Sequence, residues 1–277
     1  MAFVRPEEVP MRRRRYQIEF ILRFWPLTHM AKRLGGFTPF KQMAGLMISE
    51  KALNGSYIPV SQEIEVPPGV VAPREIIRDY IERASHRTLV YQCPCRAAES
   101  CKKHPRELGC IMLGDGAKSI DPELGRPATV EEALDHMEKA IDSGLYPMVG
   151  HVLFDSVVFG AKPYDRLVTV CFCCDCCCIA RSEMRGLLTA YPRSVVRLEG
   201  VSMDVGADCK GCGECVPVCP IENMTLVEGI ATIGARCIGC SACVTACPRD
   251  NIKVVIEPDA RMQEDLRRRI EAHATIE

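Results

Sequence analysis

The chain has 277 residues, of which 47% are hydrophobic, 18 are cysteine, and 35 Lys plus Arg balance 36 Asp plus Glu. That length suits one large domain or two smaller ones, and the apolar content excludes a disordered chain. A formal net charge of −1 leaves no global electrostatic footprint for nucleic acid, which is not expected as a partner.

Residues 1–55 read as a basic amphipathic leader. Arg12, Arg13, Arg14 and Arg15 precede an apolar stretch, 18–34, that Glu19 and Arg23 interrupt. The interruptions, with no small-residue cleavage site after them, argue against an export signal. A spanning helix needs about 18 apolar residues in a row, more than this stretch supplies. Phe20, Phe24, Leu27, Ala31 and Leu34 follow helical spacing, with a kink at Pro26. Such a helix either packs on the protein's own core or uses 12–34 to lie on a membrane surface or a partner. The second case would hold a cytoplasmic protein at the inner membrane face.

Residues 56–200 read as a cysteine-rich α/β domain. Ser56–Val60 and Glu63–Val66 look extended, with a break at Pro67-Pro68-Gly69. Pro73 opens a helix carrying Ile76, Ile77, Tyr80, Ile81 and Ala84 on one face. The strand-like run Leu89–Gln92 leads into Cys93-Pro94-Cys95-Arg96, and Cys101 and Cys110 follow in a loop with Lys102, Lys103 and His104. Thr129 and Glu132 form a capping box for a helix with Ala133, Leu134, Met137, Ala140 and Ile141, ended by Gly144. A strand at Arg166–Val170 then delivers Cys171, Cys173, Cys174, Cys176, Cys177 and Cys178. Two strands thus end in cysteines, and their carboxyl ends are expected side by side, where open α/β sheets place their sites.

These ten thiols are expected to bind metal, as one or two further iron–sulfur clusters. Zinc and a redox-active dithiol are the alternatives. Arg96, Lys102 and Lys103 would offset the negative charge of a thiolate-bound cluster. Successive strand residues face opposite ways, so Cys173-Cys174 must lie in a turn or serve two sites. His104 reads as a ligand or proton donor, or neither, whereas His151 reads as a core residue.

The last eight cysteines form two copies of one pattern. Cys209, Cys212, Cys215 and Cys219-Pro220 are followed by Cys237, Cys240, Cys243 and Cys247-Pro248 at the same spacing. Four thiolates hold a 4Fe–4S cubane, and in two-cluster proteins the fourth cysteine of each run crosses to the other cluster. This assigns Cys209, Cys212, Cys215 and Cys247 to one cluster, and Cys237, Cys240, Cys243 and Cys219 to the other. Gly211, Gly213, Gly239 and Ala242 would let the backbone approach. Residues 225–233 read as a hairpin turning near Gly229. Residues 259–277 read as a helix packed back through Met262, Leu266 and Ile270.

These runs resemble the bacterial two-cluster ferredoxin domain over residues 201–258. The resemblance implies short strands around two 4Fe–4S clusters and one-electron transfer at low potential. The wider layout, from Pro94-Cys95-Arg96 through Leu108-Gly109-Cys110 and the 171–178 run, resembles a group of cysteine-rich 4Fe–4S proteins of anaerobic bacteria and archaea. That likeness implies cofactor content and names no reaction.

The whole is expected to be α+β. Its expected function is an electron-transfer protein or subunit, serving a redox partner in an oxidoreductase system. Low-potential electrons would pass between the two carboxy-terminal clusters and a further cysteine-ligated cluster in the amino-terminal domain. The alternative is an anaerobic reductase whose amino-terminal cluster or dithiol acts directly on substrate. A metal-handling factor is a third reading. No Gly-x-Gly-x-x-Gly, Walker or nucleophile-elbow pattern occurs.

Overall fold

The computed structural model describes residues 52–60, 64–178, 181 and 194–277. The amphipathic segment 12–34 lies outside the described residues. The first region runs β1 (Leu53–Tyr57), α1 (Pro73–Arg83), β2 (Arg87–Val90), α2 (Pro94–Ala98), β3 (Ile111–Leu113), β4 (Gly125–Pro127), α3 (Val130–Asp142), β5 (Tyr146–Val152), α4 (Leu153–Phe159) and β6 (Val168–Cys173). Its strands form one sheet in the order β1-β5-β6-β3-β2-β4. The second region adds β7 (Val201–Val205), β8 (Met224–Val227), β9 (Ile230–Ile233), α5 (Ala242–Ala246), β10 (Ile252–Ile256) and α6 (Met262–Glu271). Helices and strands mix as an α+β protein requires. Residues 64–66 form no strand.

Every described pairing in the six-stranded sheet is antiparallel. The expected placement of the site at strand carboxyl ends therefore rests on no parallel pairing: short strands reverse without crossover helices. One part of the expectation has a counterpart. Strands β2 and β6 both oppose β3, so they run the same way with β3 between them. Their carboxyl ends lie beside the amino end of β3. Cys93, Cys110 and Cys171 consequently gather at one end of the sheet.

Side chains alternate across this sheet. Leu89, Ile111, Leu113, Val168, Val170 and Phe172 pack with the apolar stripes of α1 and α3. Val90, Cys110 and Met112 join Val158 and Phe159 of α4 in a second cluster. In α1, Ile76, Ile77, Tyr80 and Ile81 are buried at the helical spacing. Burying each contributes about 1.5–3 kcal/mol. Helix α3 opens on the capping box: the Glu132 amide donates to Thr129 Oγ1 at 3.2 Å, and the Thr129 amide donates to Glu132 Oε2 at 3.0 Å. Gly144, at φ +74°, turns the chain out of the helix as a left-handed residue must.

In the second region β7 pairs with β10 and β8 with β9, both antiparallel. The β8–β9 hairpin turns on Glu228 and Gly229, at φ +51° and +78°, as a two-residue turn with two left-handed positions demands. Helix α6 returns to the first strand. Arg269 Nη2 donates to Ser56 Oγ at 2.7 Å, and Asn54 Nδ2 donates to the Arg269 carbonyl at 3.2 Å. Met262, Leu266 and Ile270 are buried beneath it. One apolar cluster runs from Tyr57, Ile77 and Val149 to Val201, Ile238 and Val254, so the two regions share a core. Among the described residues, no helix is long and apolar enough to cross a membrane.

Candidate metal centres

The repeated runs line two cavities. Cys209, Cys212, Cys215 and Cys247 line one, together with Ala231 and Ile252. Cys219, Cys237, Cys240 and Cys243 line the other, with Met203, Ile221 and Met224. The structure thus brings together the crossed sets. The two halves repeat each other in detail. The Asn223 amide donates to Cys219 Sγ at 3.2 Å, and the Asn251 amide to Cys247 Sγ at 3.4 Å. Asn223 Nδ2 donates to the Gly234 carbonyl, and Asn251 Nδ2 to that of Gly206.

Gly211 sits at φ +63°, and a Cβ there would meet the Gly229 carbonyl oxygen at 2.1 Å. Its role is therefore backbone approach between the loop and the hairpin. At the position matching Gly213, the second loop has Ser241 at φ +56°, a strained conformation for a residue with a Cβ.

Burial pushes the Cys243 thiol up to about 12 and raises Cys240 and Cys215. Backbone amides of Ala231 and Gly211 lower Cys209. A metal replaces thiol protons and removes the cost of the buried anions.

The ten thiols of the first region divide into three groups. Cys95 stands beside both Cys93 and Cys178, and Cys173 beside Cys178, close enough that their thiols influence one another. Within this set, hydrogen bonds from Cys173 and Cys95 hold Cys178 well below the usual thiol range, while Cys95 and Cys173 are raised. Tyr57, at the end of β1, donates its hydroxyl to Cys173 Sγ at 3.6 Å. The second group is Cys101, Cys174, Cys176 and Cys177, whose sulfurs lie within 4.8 Å of one another. The third is a buried pair, Cys110 and Cys171, with sulfurs 3.9 Å apart. Asp155 Oδ2 accepts from Cys171 at 3.9 Å, and burial raises that carboxyl to about 6. The vicinal cysteines meet both of the alternatives that their spacing left open. Strand β6 ends at Cys173, the next residues turn, and Cys173 and Cys174 enter different groups.

Two arginines bind these groups together. Arg96, in α2, is 0% exposed. Its Nη1 donates to the Phe172 carbonyl at 2.8 Å and its Nη2 to that of Leu108, while Nε has no partner. Among the described residues no carboxylate pairs with it. Burial works against its charge, and Cys93, Cys110 and Cys174 more than offset that. A buried guanidinium without a counter-anion costs several kcal/mol, so this setting fits thiolates held by metal. Arg181 follows Cys178 closely in sequence. Its Nη1 lies 3.8 Å from Cys240 Sγ, its Nη2 donates to the Val218 carbonyl at 2.8 Å, and its guanidinium stands 4.9 Å from the Tyr146 ring centre. It also faces Cys173 and Cys178.

His104 Nε2 is 3.0 Å from Asp175 Oδ1 and its Nδ1 is 3.2 Å from the Ser143 carbonyl. Both ring nitrogens therefore have partners beside Cys176. Lys103 pairs with Asp175 as well, and Lys102 is exposed. His151 is a core residue, bonded to the Leu167 carbonyl at 2.8 Å and stacked on Tyr164. Sequence reasoning missed Arg181, Tyr57, Asp155 and Asp175. Only Arg181 and Asp175 carried a signal, through proximity to the 171–178 run.

Paired antiparallel ribbons around two four-cysteine cavities define a ferredoxin-type iron–sulfur domain. A model of the 4Fe-4S dicluster domain family matches residues 208–252, the span of all eight repeated cysteines. Comparison with curated proteins gives no match.

Proposed function

We propose that the protein is an electron-transfer component with three iron–sulfur centres: two in the ferredoxin-type domain and a third held by Cys93, Cys95, Cys173 and Cys178. In the dicluster domain the ligand sets are Cys209, Cys212, Cys215 and Cys247, and Cys219, Cys237, Cys240 and Cys243. Clusters of this kind supply one-electron transfer at low potential. The chain's own groups supply burial, amide hydrogen bonds to sulfur and cationic charge, which tune potential. The observation that carries the reading is Arg181. It touches Cys240 on one side and faces Cys173 and Cys178 on the other, so the third thiol set adjoins the dicluster domain. A redox protein would exchange electrons with this chain in the cytoplasm of an oxygen-avoiding cell. The wider resemblance to cysteine-rich proteins of anaerobes supports that setting. The leader would bring the protein to the inner membrane face.

The test is acid-labile sulfide on protein purified without oxygen. About 12 per chain is expected from three cubanes, and about 8 would remove the third centre. A reductase is the second reading, favoured by one observation: the Cys110–Cys171 pair beside Asp155 lies near Cys93 through Arg96. A spectral change on adding substrate without any protein partner would select it.

A further inference from the structure

We propose that Cys101, Cys174, Cys176 and Cys177 bind one tetrahedrally coordinated metal ion, zinc or iron, and not an inorganic cluster. The site is separate from the third centre and does not rest on it. Its sulfurs stand 3.7 Å apart for Cys101–Cys176 and 3.5 Å for Cys176–Cys177, and all four lie within 4.8 Å of one another. An ion that binds sulfur at about 2.3 Å sets tetrahedral ligand sulfurs roughly 3.8 Å apart. Thiolates on a cubane each bind a different iron and point away from its centre, so their sulfurs are farther apart. Among the described residues, no three of the other cysteines gather within 4.8 Å, those of the dicluster domain included. Among the described residues, sulfur spacing thus distinguishes this set from the other cysteine groups.

The surroundings suit a tetrathiolate ion. The Cys177 amide donates to Cys174 Sγ at 3.2 Å. The backbone of Lys103 and His104 faces Cys101, and the Arg96 guanidinium faces Cys174. Such donors orient the sulfurs and spread the negative charge of four thiolates on a divalent ion. Cys176 is exposed and Cys177 half-buried, whereas Cys101 and Cys174 are buried. An ion therefore enters from solvent, and the thiol protons leave the same way. Once bound, it ties the loop after α2 to the turn after β6. His104 and Lys103 reinforce that tie through Asp175.

The experiment measures zinc, iron and acid-labile sulfide on the full chain, purified without oxygen. Cubanes hold equal iron and sulfide, so they cancel, and zinc plus iron should exceed sulfide by about one atom per chain. Zinc as the extra atom, or iron with a mononuclear high-spin signal, supports the site equally. Cys176→Ala, at an exposed position, should lose that atom and keep its sulfide. Three results overturn the proposal: no excess metal in the unmutated protein, an excess that survives Cys176→Ala, or loss of about four sulfides in that variant. A sulfide count near 8 with the extra atom retained removes the third centre and leaves this site standing.

Discussion

In the dicluster domain, each cavity takes three of its four cysteines from one short loop, Cys209–Cys215 or Cys237–Cys243, and the fourth from the other half. In the first region the set of Cys93, Cys95, Cys173 and Cys178 joins two segments with β3, β4, α3, β5 and α4 between them in sequence. The first arrangement is local and nearly symmetric, and backbone amides at matching positions serve both halves. The second depends on the sheet that brings β2 and β6 to one end. It also buries groups that the dicluster domain lacks, Arg96 and Asp155 among them. A loop-built site needs only its own turn chemistry, whereas a sheet-built site depends on the packing of a whole domain.

The largest effect should come from breaking the local arrangement. Cys247→Ala should remove about four sulfides and leave the same residual paramagnetic spectrum as Cys209→Ala. A residual spectrum matching that of Cys219→Ala would break the crossed pairing.

Next in size is Arg96→Met, which tests the sheet-built region. With metal bound, losing the cation should destabilise the fold by about 3–5 kcal/mol. In stripped protein the same change should be neutral, or stabilising by about 1–4 kcal/mol, because it removes an unpaired buried charge. Urea unfolding of both forms reads the sign, and an unchanged sign would dissociate Arg96 from the thiolates.

Asp155 offers a smaller, pH-dependent contrast. Burial raises its folded carboxyl to about 6 from an ordinary value of 3.8. The folded state therefore binds the extra proton. Its contribution is fully present below about pH 4 and is lost as pH rises through about 6. The loss is about 3 kcal/mol for a shift of that size. Asp155→Asn should flatten this window, as urea midpoints between pH 4 and 8 will register. A retained slope would assign it to another group.

The smallest effect is expected at Thr129→Ala, which removes one half of the capping box. It should cost about 1 kcal/mol and leave metal content untouched. A change in sulfide would mean that α3 packing reaches the thiol groups more directly than the cap suggests.

The sequence by itself determined whatever depends on short spacing. The repeated cysteine runs, the helical stripe of Ile76, Ile77, Tyr80 and Ile81, the Thr129–Glu132 cap and the turn at Gly229 are local, and neighbouring residues suffice to specify them. Alternation along a strand also left Cys173 and Cys174 either to lie in a turn or to serve two sites. Tertiary structure alone decided how the ten thiols of the first region divide. Cys101 meets Cys174, Cys176 and Cys177 because the 91–110 loop folds back against the end of β6. Cys110 finds Cys171 because β3 lies between β2 and β6 in an antiparallel order that residue periodicity does not encode. Tyr57 and Asp155 were hidden for the same reason, because only the folding of the first region brings them to Cys173 and Cys171. Arg181 stood near the 171–178 run in sequence, but only the packing of the first region against the dicluster domain brings it to Cys240.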